Sequence, residues 1–280
     1  MLVEYLVPDD VSAAVRMLGA GGVVLAGGTD VYPQHVGRPM TTPMIDIGGL
    51  ADLRGIDATA DTYRIGALTR WADVAGAALP PRFDGLRAAA GQVGAVQVQN
   101  AATVGGNLCN ASPAADGIPP LLTLDASVEL TSVTGSRVLP LERFLTGYRQ
   151  TALQPDELLT AVLIPRGTRD DARSAFLKLG LRRYLVISVV MAAVEVTTDP
   201  DDRIAEARVA IGACSPVAQR LRSLEAALVG KLLDDMDVVM IADHLAALTP
   251  IDDVRATADY RRRAAAVLVR RALQSCGGGR

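Results

Sequence analysis

The fold of this chain is decided by the stretch Thr103-Val-Gly-Gly-Asn-Leu-Cys-Asn-Ala-Ser-Pro-Ala-Ala-Asp116, together with a second glycine pair in Ala26-Gly-Gly-Thr-Asp30. Glycine lets the backbone approach a ligand closely, and the successive N–H groups of such a turn point into one concavity. Loops of this kind bind pyrophosphate without lysine or arginine. Two of them predict a nucleotide cofactor that is held from both ends.

Helix and strand patterns alternate before the longer glycine stretch. Pro8-Asp-Asp10 predicts a helix start, Val11 to Leu18 has helical apolar spacing, and Gly19-Ala-Gly-Gly22 predicts the helix end. The predicted strands are 23–26, 44–47 and 63–67, and the predicted alanine-rich helices are 69–79 and 84–98. The alternation indicates an α/β arrangement, with the glycine stretch as a loop between two packed helices.

A second domain is predicted in the last third of the chain. Strands are expected at 127–131 and 158–164, and the polar segment 167–171 is the best linker candidate, with a boundary near residue 170. Beyond it we predict an antiparallel meander of strands 175–179, 186–197 and 204–213, then helices near 216–229, 235–247 and 257–274. The predicted division is a domain of residues 1–170, an α+β domain of residues 171–276 and a tail of residues 277–280.

The composition favours a cytoplasmic enzyme subunit. The chain has 280 residues, half of them hydrophobic, and a net charge of −3, which gives no basic patch for nucleic acid. No apolar run reaches the roughly 20 residues of a membrane span, and no signal peptide is recognisable. Cys109, Cys214 and Cys276 are too few and too scattered for a disulfide framework or a zinc site.

Other cofactor and catalytic motifs are missing from the sequence. Gly19-Ala-Gly-Gly22 follows a helix and lacks the GxGxxG spacing of a dinucleotide fold, and no GxxxxGK[ST] motif occurs. His35 and His244 have no suitably spaced partner for a metal or for a Ser-His-Asp arrangement. We therefore expect no protein-derived catalytic group and no metal ligand in this chain.

The two glycine turns, the Asn107…Ala-Ser-Pro…Asp116 signature and the Tyr260-Arg-Arg helix resemble, in order and spacing, the flavin-binding subunit of the molybdenum hydroxylases. This family includes xanthine dehydrogenase and aerobic carbon monoxide dehydrogenase. The resemblance covers nearly the whole chain. It implies an α+β fold, with a two-part FAD-binding domain of the vanillyl-alcohol-oxidase (PCMH) type followed by a smaller α+β domain with an antiparallel sheet and helices.

The resemblance also implies the residues that bind FAD. The pyrophosphate is expected against residues 26–30 and 103–107, a ribityl or ribose hydroxyl at Asp116, and the isoalloxazine ring near Leu159, Lys178 and Tyr184. For Lys178 a solvated strand lysine is the competing interpretation, and for Ser112 a helix cap. The full predicted set is Leu25, Ala26, Gly27, Gly28, Thr29, Asp30, Val31, Thr103, Gly105, Gly106, Asn107, Asn110, Ser112, Asp116, Leu159, Lys178 and Tyr184.

The function implied by the resemblance is electron relay. FAD in this subunit accepts electrons from 2Fe-2S clusters of a small partner and passes them to an external oxidant, while a molybdopterin-binding large subunit carries out the hydroxylation. Three different chains are expected to assemble, and two such trimers to pair. Two alternatives stay open at this point: a non-catalytic assembly subunit, and a stand-alone FAD-dependent oxidase.

Overall fold

The structure is a computed structural model, and it describes residues 4–166, 170–182, 185–233 and 236–277. The helices are α1 Val11–Gly19, α2 Val31–Gln34, α3 Trp71–Gly76, α4 Asp84–Ala90, α5 Val96–Ala101, α6 Val104–Asn110, α7 Ile118–Thr123, α8 Leu141–Phe144, α9 Arg222–Leu228, α10 Val238–Asp243 and α11 Ala258–Gly277. The strands are β1 Tyr5–Leu6, β2 Val23–Leu25, β3 Met44–Asp46, β4 Ile56–Ala58, β5 Thr62–Gly66, β6 Ser127–Ser132, β7 Gly135–Pro140, β8 Leu145–Gly147, β9 Gln150–Thr151, β10 Leu158–Pro165, β11 Arg173–Leu179, β12 Val190–Thr198, β13 Ile204–Gly212 and β14 Gln219–Arg220.

A small parallel sheet, in the order β1-β3-β2, forms the first layer. Helix α1 covers it because the helical spacing places Ala14, Val15 and Leu18 on one buried face against Ile45 of the sheet. Asp10 caps this helix by accepting a hydrogen bond of 2.6 Å from the N–H group of Ala13. The predicted start of the first helix is therefore confirmed.

A larger antiparallel sheet, in the order β4-β5-β10-β6-β7, forms the second layer. Its apolar face, which includes Ile65 and Val162, packs against helices α3 to α8 around Trp71. Trp71 is fully buried and lies so close to Gly117 that a Cβ at that position would overlap the indole ring. The segment between α6 and α7 is therefore held directly on the core.

The third layer is an antiparallel sheet, in the order β11-β12-β13-β14, with helices α9 to α11 on one face. Strand β12 is buried on both faces from residue 190 to residue 196, and this part of the strand is apolar apart from Glu195. Val190, Ala192 and Val194 face the helices, and the alternate residues Met191 and Ala193 face the layers formed by the first half of the chain.

The alternation in β11 and β12 also places polar groups on the face toward the first half of the chain. Ser174 Oγ accepts a hydrogen bond from Gly85 N (2.9 Å), and Lys178 Nζ lies 2.7 Å from Asp116 Oδ2. Glu195 lies 3.1 Å from Arg82, and neither side chain is more than 1 % exposed. The C-terminal sheet is thus joined to the rest of the molecule by both apolar and ionic contacts.

Two predictions on the N-terminal half are wrong in detail. The predicted helix 84–98 is two helices, α4 and α5, because the chain turns between them at Gly94, whose φ of +55° lies in the left-handed region. The predicted cofactor loop after Thr103 begins as helix α6, with Thr103 Oγ1 capping it at Gly106 N (3.1 Å). The chain then leaves the helix through a left-handed Ala111 (φ +45°).

The C-terminal elements are shorter at their beginnings than predicted. The strand expected from residue 186 starts at Val190, and the helix expected from residue 216 starts at Arg222 because strand β14 occupies Gln219–Arg220. β14 adds to the edge of the sheet by pairing with β13, a tertiary contact that local helical spacing does not reveal.

No helix in the described ranges combines the length and the apolar composition of a membrane span.

Candidate cofactor-binding site

The two glycine segments meet at one cavity of about 360 Å³, within the range of about 300–1,000 Å³ that is usual for ligand pockets. The first segment packs directly against the end of helix α5, shortly before the second segment begins, because the carbonyl oxygen of Ala101 occupies the place where a side chain on Gly27 would begin. The cavity is lined by Val24, Ala26, Gly27, Gly28, Thr29, Asp30, Val31, Gln34, Ile47, Ala67, Leu68, Val93, Val98, Ala102, Thr103, Gly105, Gly106, Asn107, Cys109, Asn110, Leu153, Glu157, Leu158 and Leu159.

The first turn offers unused backbone donors. Between the end of β2 and the first residue of α2, the N–H groups of residues 27–31 donate to no acceptor in the described part of the chain. Gly28 makes this conformation accessible because its φ of +69° is unfavourable for other residues. Successive free N–H groups that border a cavity are a typical anion-binding arrangement.

The second segment contributes in a different way. The N–H groups of residues 104–107 are all satisfied by protein acceptors at 2.8–3.1 Å, so they are not free for a phosphate. The helical spacing instead presents Thr103, Gly106, Asn107 and Asn110 along one face toward the cavity. Gly105 also lines the cavity, but a Cβ at this position would strike Ala67, so its lack of a side chain permits close packing there. Gly105 therefore allows close packing, and Gly106 leaves room for a ligand in the cavity.

Asn107 has an unsatisfied polar atom at the cavity wall. Its Oδ1 is buried and has no hydrogen-bond partner among the described residues. Such an atom costs roughly 1–3 kcal/mol unless a donor reaches it. The cavity is thus bordered by an unsatisfied acceptor of Asn107 and by the free N–H groups of residues 27–31, a combination that would fit a nucleotide with hydroxyl groups and a diphosphate.

Two charged or nucleophilic groups also line the cavity. Glu157 accepts hydrogen bonds from Arg137 Nε (2.6 Å) and Gln154 N (2.9 Å), and the bond from Arg137 lowers the pKa of this carboxyl. Cys109 opens into the cavity, but the surrounding protein desolvates its thiol and raises the pKa to about 12. The thiol is therefore protonated near neutral pH, which disfavours nucleophilic chemistry by Cys109.

Most of the predicted residues line this cavity, but four of those described do not. Leu25 is buried in β2 behind the first turn, and Ser112 accepts a hydrogen bond from Ala114 N (3.3 Å) in the segment after α6. Asp116 and Lys178 form the buried ion pair with the C-terminal sheet. Tyr184 lies outside the described residues. The roles of these five residues toward a cofactor stay predictions.

The pair Asp116–Lys178 does not line the cavity, but Lys178 contacts a residue that is next to a lining residue in sequence. Lys178 Nζ also approaches the carbonyl oxygen of Gln92 (3.4 Å), whose neighbour Val93 lines the cavity. Ser188 Oγ donates to the second carboxylate oxygen of Asp116 (2.8 Å). Burial raises the pKa of Asp116, and the charge of Lys178 acts against that shift.

Several cavity residues were not predicted from the sequence. Val93, Val98 and Leu153 have no signal beyond that of ordinary core residues, and only the folded chain brings them to one wall. Glu157 carries a weak signal, since a carboxylate directly before an apolar strand is unusual at a buried position.

Comparison with known proteins identifies the family. Residues 2–167 match the model described as the FAD binding domain in molybdopterin dehydrogenase, and residues 175–276 match the CO dehydrogenase flavoprotein C-terminal domain. The chain belongs to the FAD-binding subunits of the molybdopterin dehydrogenases. As a member of this family it is a flavoprotein subunit of an oxidoreductase, and FAD is its cofactor.

Two similar proteins are also named as FAD-binding subunits of dehydrogenases. A putative xanthine dehydrogenase FAD-binding subunit of Escherichia coli is 33% identical over 242 residues, which cover 85% of this chain and 82% of that protein. The nicotinate dehydrogenase FAD-subunit of Eubacterium barkeri is 36% identical over 205 residues, 70% of this chain and 69% of that one. These findings support the flavoprotein-subunit hypothesis over the assembly-subunit and stand-alone oxidase alternatives.

A solved structure confirms the fold of this molybdopterin dehydrogenase subunit. A chain of carbon monoxide dehydrogenase from Hydrogenophaga pseudoflava, in a form that lacks the Mo-pyranopterin moiety, superposes with a TM-score of 0.88. The identity is 28%, and the match covers 99% of this chain and 98% of that one. The predicted α+β class, a flavin-binding part followed by a smaller domain with an antiparallel sheet and helices, is confirmed.

Proposed function

We propose that this subunit holds FAD in the cavity between residues 26–31 and helix α6, and that it relays electrons from iron–sulfur centres of a partner chain to an external acceptor. The observation that carries the proposal is the row of free N–H groups of residues 27–31 beside the unsatisfied Oδ1 of Asn107. FAD is the family's cofactor, and these free donors and this unsatisfied acceptor support its placement in the cavity.

The residues divide the work of binding. Residues 27–31 would bind the diphosphate through backbone N–H groups, in keeping with a lining that contains no lysine or arginine among the described residues. Asn107 would accept a hydrogen bond from a cofactor hydroxyl or N–H group, and Leu159 supplies an apolar wall for a ring. When bound, the flavin supplies exchange between one-electron and two-electron transfer.

Asp116 and Lys178 belong to the proposal as a pair. Because Lys178 binds Asp116 and lies beside Gln92 at the cavity edge, its charge would act on the ring together with that of the carboxylate. The two opposite charges largely cancel, so the pair would add little net charge near the cofactor. Its main role would be to fix the position of the C-terminal sheet on the side of the cofactor. Ser112 and Tyr184 remain proposed contacts on the resemblance alone.

Replacing Asn107 by leucine tests the cofactor site in the isolated chain, without its partner subunits. We expect FAD to bind about tenfold more weakly, because one hydrogen bond of roughly 1.4 kcal/mol is lost. The FAD-free chain should become more stable by about 1 kcal/mol, since a buried polar atom without a partner is removed from a helix. Equilibrium unfolding in urea and FAD titration measure the two effects.

The matched control is Asn100→Leu, an exposed asparagine of the neighbouring helix α5 outside the cavity. It should leave FAD affinity unchanged. If Asn107→Leu lowers the stability of the FAD-free chain and leaves FAD affinity at the level of the control, Asn107 does not face the cofactor.

The assembly is also proposed. A molybdopterin-binding large chain and a small 2Fe-2S chain would complete the enzyme, as a trimer that pairs with a second one, in the cytoplasm. The cysteines of this chain are free, as expected of a reducing compartment. The test is to purify the tagged chain from its own cells and to measure FAD, molybdenum and iron in the product.

Molybdenum and iron in fixed ratio to FAD would support the proposal. A flavoprotein that contains neither metal and oxidises substrates by itself would contradict it and would favour the stand-alone oxidase.

A further inference from the structure

Helix α6 is fastened at its C-terminal end by the hairpin of β8 and β9. Arg149, at the tip of this hairpin, donates from Nη1 to Asn110 Oδ1 (2.8 Å) and from its backbone N–H to the carbonyl oxygen of Ala111 (3.2 Å). Asn110 lines the cavity, whereas Arg149 does not. Both polar ends of the arginine are therefore directed at the helix that carries the cavity face.

The backbone at this contact is in an uncommon conformation. Arg149 has φ +51° and Ala111 has φ +45°. Both values lie in the left-handed region, which residues other than glycine and asparagine rarely adopt. The two residues are hydrogen-bonded to each other. Such conformations persist where the surrounding structure imposes them, and they are frequent beside functional sites.

The contact determines which group Asn110 presents to the cavity. A side-chain amide has an acceptor oxygen and a donor nitrogen, and a guanidinium group can only donate. Because Arg149 uses Oδ1, the amide of Asn110 is oriented and its Nδ2 donor is left available to the cavity. Asn107, one turn earlier, presents the opposite chemistry with its unpartnered Oδ1.

We propose that Arg149 is a positioning residue for the cofactor: it orients Asn110 so that helix α6 offers an acceptor at Asn107 and a donor at Asn110. This inference rests on the proposed function, because it takes FAD as the occupant of the cavity. Arg149 acts through Asn110 and contacts no reacting atom.

The test is a double-mutant cycle in which FAD binding is measured by the quenching of flavin fluorescence. Arg149→Met should weaken FAD binding about tenfold, as expected for the loss of one oriented hydrogen bond. Arg149→Lys, which keeps a donor, should recover part of this loss. The double variant Arg149→Met/Asn110→Ala should bind FAD as Asn110→Ala does, because the arginine has nothing left to orient.

Arg143→Met, an exposed arginine on the neighbouring helix α8, is the control and should bind FAD like the wild type. The visible band of bound flavin should also shift in Arg149→Met and not in the control. Wild-type affinity in Arg149→Met, or full additivity with Asn110→Ala, would overturn the inference. A wild-type chain that takes up no FAD would instead overturn the proposed function, and this inference with it.

Discussion

Replacing Gly106 by valine is expected to weaken FAD binding by about 100-fold or more, a loss of roughly 2.7 kcal/mol. Gly106 lies on the cavity face of α6, and a Cβ at this position would meet Thr103 Oγ1 at 2.9 Å and no other described atom within 4 Å outside the neighbouring residues and the helix backbone. The valine methyl groups would therefore occupy cavity space. The FAD-free fold should lose no more than the cap at Thr103, about 1 kcal/mol.

Gly76→Val is the matched control for this substitution. Gly76 is the last residue of helix α3, and a Cβ there has no heavy atom within 4 Å. It lies outside the cavity, so this variant should retain FAD. Gly28→Val should also release FAD, but it strains a left-handed backbone and strikes the ring of Tyr32, so its result is less specific. Stoichiometric FAD in purified Gly106→Val would contradict the site.

Replacing Arg82 by methionine is expected to lower the free energy of unfolding by about 3 kcal/mol, because it removes one side of a buried ion pair. Arg82 and Glu195 join the two halves of the molecule, and both side chains are buried. Arg82 also donates to the carbonyl oxygen of Pro165 (2.9 Å). Arg208, 3.5 Å from Glu195, compensates only in part.

The comparison is Arg263→Met, which removes an exposed pair with Asp259 on helix α11. Exposed pairs are worth about 0–1 kcal/mol, so this variant should unfold near the wild-type urea concentration. The double variant Arg82→Met/Glu195→Leu should regain much of the lost stability, since it removes both buried charges. Equal losses in Arg82→Met and Arg263→Met would show that the buried pair does not hold the halves together.

Local chemistry was enough to predict part of this fold. Asp10 is a helix cap in sequence and in structure because capping depends on a side chain and an N–H group three residues away. The apolar runs of β10 and β13 were recognised for the same reason, since alternating or continuous burial leaves its pattern in the chain. The glycine segments predicted a nucleotide cavity, and the folded chain brings them together.

Long-range contacts account for the structural features that were not predicted from the sequence. Gly105 and Gly106 lie in the first turn of a helix, where the N–H group of Gly105 donates to the carbonyl oxygen of Ala67, far away in sequence. The contact of Lys178 with Asp116 spans 62 residues, and that of Arg149 with Asn110 spans 39. No local spacing predicts such pairs, so the division between free and satisfied N–H groups in the two turns emerged only from the structure.

FAD binding in the cavity between the first turn and helix α6 is what we propose above all. Its most direct test is the visible absorption spectrum of the purified chain before and after incubation with FAD, with the released cofactor identified. We expect a flavin band that corresponds to one FAD per chain. A colourless, well-folded chain that takes up no FAD, even when it is produced together with its partner chains, would contradict it.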